Sequence, residues 1–128
     1  MSGLTGGSPK NLVMVAGSFR DDLLAASIKG NGYSVTTAAG VYTITLDRAY
    51  DALVSVTASI LNASPISGES LIANIVSYSV TDGTAGGTVV INTIDDTGAI
   101  ENPLTDDCEI HFCIVLEEDT TVYGYDVV

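Results

Sequence analysis

Apolar and polar residues alternate one for one along much of the chain, the period of strands that bury one face and wet the other. The clearest run is "CEIHFCIVLE" (Cys108–Glu117). Cys108, Ile110, Phe112, Ile114 and Leu116 share one face; Glu109, His111, Cys113, Val115 and Glu117 share the other. In "ALVSVTASIL", Val54, Val56, Ala58 and Ile60 alternate against Ser55, Thr57 and Ser59. "YSVTT" and "VYTITL" flank Ala38-Ala39-Gly40, with Tyr33, Val35 and Thr37 alternating in the first run and Tyr42, Ile44 and Leu46 in the second. This pattern predicts a hairpin whose Gly40 takes positive φ beside a bulge. Further strands are expected at Leu12–Phe19, at Ser70–Val80 with a bend at Asn74, and at Thr88–Ile94. Leu23–Gly32 reads equally as a short strand or a connection.

Turn-rich stretches separate these runs: "DRAYD", "NASPISGES" and "TDGTAGG". Seven or eight short strands punctuated in this way predict an all-β fold, an antiparallel β-sandwich or a jelly-roll-like barrel. Residues 12–117 form the expected domain. Residues 1–11, rich in Gly, Ser and Pro, read as a flexible N-terminal arm, and 118–128 as a C-terminal extension. Tyr42, Tyr50, Tyr78 and Phe112 are the aromatic residues expected to fill the core and a seam between subunits.

Composition sharpens the picture. The 128 residues are 46% hydrophobic and 16% charged, with 13 Gly. The excess of Val, Ile, Thr and Gly favours sheets joined by tight turns. The net charge of −12 is distributed unevenly. All four basic residues (Lys10, Arg20, Lys29 and Arg48) precede position 50, together with three of the 16 acids, and the other 13 acids follow without a counter-charge. Such a chain is repelled by phosphate backbones and anionic lipid, so no direct nucleic-acid or membrane partner is expected. With no basic cap followed by an apolar run at its start, it reads as a protein made in a cytoplasm.

Candidate chemistry is sparse. Asp96-Thr97-Gly98-Ala99 carries the letters of an aspartic-protease loop, which needs two carboxylates sharing a proton and hence a symmetric pair of such loops. The residue ahead of it is Asp95, where a buried active-site strand wants an apolar side chain, so a strand-ending turn explains the letters better. The acidic clusters at 95–96, 106–107 and 117–119 lack the spaced ligand pattern of a calcium loop. His111, the single histidine, shares a strand face with Glu109 and Cys113, but residues two apart on a strand stand about 7 Å apart at Cα and align poorly as a nucleophile pair. Cys108 and Cys113, an odd number apart on a strand, fall on opposite faces and read as free thiols. No enzyme, cofactor or metal is expected.

Gly40–Leu46, Leu53–Ser59, Gly87–Gly98 and Glu109–Val115 stand in an order that resembles a family of small tailed-bacteriophage head proteins. Those proteins carry a "GVYTVTF"-like strand, an apolar "LVxxxAS" strand, a "GTVxIxTxDxxG" strand-turn and a closing "xxIHFxLV" strand. The resemblance covers residues 30–117 and implies a capsid decoration or cement protein. Such a protein is a homotrimer on the outside of the head that contacts the major capsid protein and ties capsomers together. On that reading the surface contacts are expected from Lys10, Arg20, Lys29, Arg48, Tyr50, Tyr123 and Tyr125, with arm 1–11 docking on the shell. A trimeric jelly-roll module that binds a receptor or glycan, as at a tail-fibre tip, is the alternative. The absence of Trp argues mildly against sugar stacking.

Overall fold

A computed structural model describes residues 10–23, 25–61, 71–82, 85–95, 97–101 and 108–119. The strands are β1 (Lys10–Arg20), β2 (Lys29–Gly30), β3 (Tyr33–Ala38), β4 (Val41–Leu46), β5 (Ala52–Leu61), β6 (Ile72–Tyr78), β7 (Thr81–Asp82), β8 (Ala85–Gly86), β9 (Thr88–Ile94) and β10 (Glu109–Asp119). A single 3-10 turn, Ala25–Ser27, lies between β1 and β2. One sheet has the order β2-β1-β10-β5 and the other β3-β4-β9-β6, and β7-β8 is a separate two-stranded ribbon. All pairings within them are antiparallel. The domain is the β-sandwich that the alternation predicts.

The inner faces meet in a core of Val15 and Phe19 from β1, Tyr42, Ile44 and Leu46 from β4, Val89 and Ile91 from β9, and Ile110, Phe112, Ile114 and Leu116 from β10. The β10 face is the one read from sequence, every member buried. Phe19 sits between Tyr42 and Phe112, with ring centroids 5.4 and 6.3 Å away, and Tyr33 meets Phe112 edge-on at 4.8 Å. These tilted arrangements set positive ring edges against negative faces. Tyr33 reaches the core because Gly17 leaves it room. A Cβ at Gly17 would lie 2.5 Å from the Tyr33 hydroxyl oxygen and 2.6 Å from the Lys29 carbonyl oxygen.

Two bulges overrule simple alternation. Between β5 and β10 the register slips at Val115/Leu116, so Val115 faces Ser55 while Leu116 faces Leu53. Val54 is the extra residue, half exposed, and Leu53 takes the core position that alternation assigns to Val54. In β6 the irregularity falls at Val76, between Ile75 and Ser77, rather than at Asn74. Beyond that bulge Tyr78 pairs with the buried Val89 yet is 57% exposed at the sheet edge, which takes it out of the core but not out of a seam between subunits. The β3–β4 hairpin also differs. Ala38 pairs directly with Val41, leaving a two-residue turn in which both Ala39 (φ 47°) and Gly40 (φ 84°) are left-handed. That is a type I′ turn, whose twist matches the flanking strands without a bulge.

Both ends of the domain run further than expected. Lys10 and Asn11 belong to β1 rather than to an arm, and β10 continues through Glu118 to Asp119. The ambiguous 23–32 segment divides into the 3-10 turn and the short β2. Residues 1–9, the loop expected at 62–70 and the remainder of the extension, including Tyr123 and Tyr125, lie outside the described residues.

Candidate interaction surfaces

The four basic residues do not gather. Lys10 and Arg20 occupy opposite ends of the eleven-residue β1, about 33 Å apart at a strand's rise. Lys29 pairs with Ser18 near the Arg20 end. Arg48 lies at the other end, where its guanidinium bonds the Glu118 carboxylate. The same guanidinium lies 4.9 Å from the centre of the Tyr50 ring, and its Nε donates to the Tyr50 hydroxyl at 3.3 Å. Tyr50 is buried, so of the residues expected at the surface it belongs to the core and only supports Arg48 from beneath. Arg20 bonds Asp22 at 3.1 Å. These pairs are partly exposed and solvent-screened, which makes them weak contributors to stability.

The protease-like letters sit in a turn closed by a bridge between Ile94 and Ile100. One oxygen of Asp95 accepts from the Thr97 amide (2.8 Å), the Thr97 hydroxyl (2.6 Å) and the Ala99 amide (3.1 Å). Its carboxyl is held below the usual range, first by the Thr97 hydroxyl and then by the amides, all of which favour the charged form. Gly98 supplies the positive φ of 86°. The acid ahead of the three letters therefore organises the turn. Asp96 lies outside the described residues.

On the outer face of the first sheet, Glu109 and His111 do meet, Oε1 to Nε2, at 3.1 Å. A shallow depression of about 230 Å3 runs beside them over Thr57, Ser59, His111 and Cys113. It is a furrow left by small side chains on a flat sheet. Cys108 is buried, and Cys113 half-buried on the opposite face, both as free thiols. Among the described residues no group of three or more His, Cys, Asp or Glu side chains is placed to hold a metal ion.

The outer faces are unusual in their lack of charge. Between Glu109 and Glu117 on β10, the face carries His111, Cys113 and Val115, flanked by Leu12, Met14, Ala16 and Ser18 of β1 and by Ser55, Thr57 and Ser59 of β5. Across the second sheet the outward positions are Ser34 and Thr36, Val41, Thr43 and Thr45, Thr88, Val90 and Asn92, with Ile72 and Asn74 on the edge strand. No Lys, Arg, Asp or Glu side chain interrupts either field, although the whole chain carries −12. Leu12 and Met14 are 67% and 65% exposed. Sequence parity did indicate these faces. It gave no sign that the charges would be confined to the strand ends and loops.

Fold and surfaces together define an antiparallel β-sandwich with neutral outer sheets. Comparison with known proteins found no matching family model, no matching curated protein and no matching solved structure.

Proposed function

We propose that the chain is a structural protein of a tailed-phage virion, a decoration or cement protein that sits on the outside of the head as a homotrimer and binds the major capsid protein. The observation that carries this reading is the pair of broad, uncharged outer faces on a rigid sandwich. Such surfaces suit adhesion: no desolvated charge has to be paired when another neutral surface covers them. The order of sequence segments that resembles phage head proteins supports the same reading. A shell under internal pressure is strengthened by many modest contacts acting together, and three-fold symmetry supplies them. The chain works in this reading without catalysis, cofactor, nucleic acid or membrane.

The test is reconstitution. Heads of the encoding phage, stripped of or lacking this protein, are mixed with the purified chain. Saturable binding at a copy number set by the shell's symmetry, with raised resistance of the heads to heat, is the expected result. Heads that take up none of it, or binding only at the tail tip in tens of copies, would exclude the decoration role.

A further inference from the structure

Strand β1 is hydrogen-bonded along its whole length on one side only. All eleven residues pair with β10 in unbroken register, from Lys10↔Asp119 to Arg20↔Glu109. On its other side β2 pairs with Gly17 and Ser18 and its Gly30 lies against the Ala16 carbonyl. From Lys10 to Val15 no described strand lies alongside.

The direction of the backbone groups on that edge is fixed by their neighbours. The Arg20 amide donates to Ser27 Oγ at 3.1 Å, and the Arg20 carbonyl accepts from the Leu23 amide at 2.9 Å, both away from β10. The Asp21 amide donates instead to the Cys108 carbonyl at 3.0 Å, toward β10. Because β1 contains no bulge, the alternation carries back along it. The N–H and C=O groups of Leu12 and Met14 therefore point outward from the open edge, whereas the Ala16 carbonyl already lies against Gly30 of β2. Native sheets normally guard such an edge with a charge, a proline, a bulge or a short strand. Beyond the charge of Lys10 at its very start, the edge, "NLVMVA" (Asn11–Ala16), has none of these. Its two outer-face side chains, Leu12 and Met14, are also the most exposed large apolar residues among those described.

We propose that β1 pairs antiparallel with β1 of a second copy, about a two-fold axis passing at Val13. Val13 lies between Leu12 and Met14, the two residues whose outward backbone groups β2 leaves uncovered. In that register Leu12 lies opposite the second copy's Met14, both even-numbered residues with outward backbone groups. The pair exchanges two hydrogen bonds, and the axis repeats them. The same register sets Leu12 and Met14 of both copies side by side on one face, where each covers what the other leaves exposed. A shift by one residue would set inward side chains against outward ones, so the pleat selects this alignment. No charge on β1 opposes another across the axis. The contact concerns copies of this chain alone and stands whether or not the shell reading does. Where copies already gather by threes, it would join neighbouring trimers.

The test is a register-specific disulfide. In a Cys113→Ser background, Val13→Cys places two thiols at a pair that is not hydrogen-bonded, about 4.5 Å apart at Cα and within disulfide reach. Met14→Cys in the same background is diagonal to its own copy, about 7 Å or more away and out of reach. With oxidised glutathione, Val13→Cys is expected to give a covalent dimer that Met14→Cys does not. Equal cross-linking, or none with Val13→Cys, overturns the proposal; the latter is also the outcome if a terminal segment of the same chain fills the edge. Met14→Lys provides a test that leaves the core untouched. Circular dichroism should be unchanged, while sedimentation shows the even-numbered assembly weakened by more than about tenfold. Even-numbered assembly unaffected by Met14→Lys, or its complete absence in the unmodified chain, would also overturn it.

Discussion

The Tyr42 hydroxyl donates a hydrogen bond to the Asp21 carboxylate, joining the middle of one sheet to the end of β1 in the other. Both residues are buried, Tyr42 completely. A buried carboxylate is costly unless it is hydrogen-bonded, so the pair fixes how the two sheets meet at this end of the sandwich. Tyr42→Phe is expected to cost about 1.5–3 kcal/mol, the range for a hydrogen bond to a charged group. Urea denaturation checks it, and a loss below the uncertainty of the midpoint would show that the bond contributes nothing net.

The same pair gives alkaline pH dependence. Burial first, and then the bond to Asp21, raise the Tyr42 pKa above its ordinary value. A raised folded-state pKa adds stability that is complete below the unfolded value of about 10 and declines as pH rises above it. Tyr33 is raised in the same direction, chiefly by burial. The denaturation midpoint should therefore hold level from neutral pH to about 9 and fall above about 10. Tyr42→Phe should flatten most of that fall, leaving the part due to Tyr33. An identical alkaline slope in the variant would remove Tyr42 as its source.

The β5 bulge separates two neighbouring residues. Leu53 packs on the core and Val54 is half exposed. Leu53→Ala should cost about 2 kcal/mol, the low end for a leucine truncation because the site is only partly buried. Val54→Ala should stay within about 0.5 kcal/mol, as for an ordinary surface change. The reverse ranking in thermal melts would mean that strict alternation, and not the bulged register, describes β5.

Gly17→Ala should destabilise the domain by about 1–3 kcal/mol, the usual cost of overpacking. The added methyl meets both the Tyr33 ring and the Lys29 carbonyl oxygen. Adding Tyr33→Phe should not rescue it, since the ring carbon at 2.6 Å and the backbone oxygen remain. Full rescue would mean that the hydroxyl alone sets the constraint.

At Asp95 the outcome is spectroscopic. Its folded-state pKa is depressed, so what it contributes is present above the ordinary carboxylate range and lost as pH falls through the folded value. In NMR titration Asp95 should titrate below the exposed acids, and the Thr97 and Ala99 amide shifts should move with it. An ordinary pKa, or amides that ignore the titration, would contradict the turn geometry. Independently, Asp96→Asn should leave the proposed binding to phage heads intact, whereas loss of a peptidase activity on that change would revive the protease reading.

Much of the sandwich was legible in the residues themselves. β4 and β10 are central strands buried on one face, and there the two-residue period matches burial position by position, from Tyr42 to Leu46 and from Ile110 to Leu116. The turn character of Asp95–Gly98 was legible too, because an acid that accepts amides two and four residues on, followed by a glycine, is local chemistry. What the tertiary structure decided lies where strands negotiate with neighbours. Val54 and Val76 are extra residues because the paired strands, not their own sequence, set the register. Tyr50 and Tyr78 are equally aromatic, and only packing buries one and leaves the other exposed. Four basic residues close together in sequence end on opposite ends of the domain because β1 runs its full length between them. The open edge of β1 belongs to the same class: any chain segment of this composition can form a strand, but only strand order determines which edge is left without a partner. Side-chain period is a local property of the backbone, whereas register, bulges and edges are properties of pairs of strands.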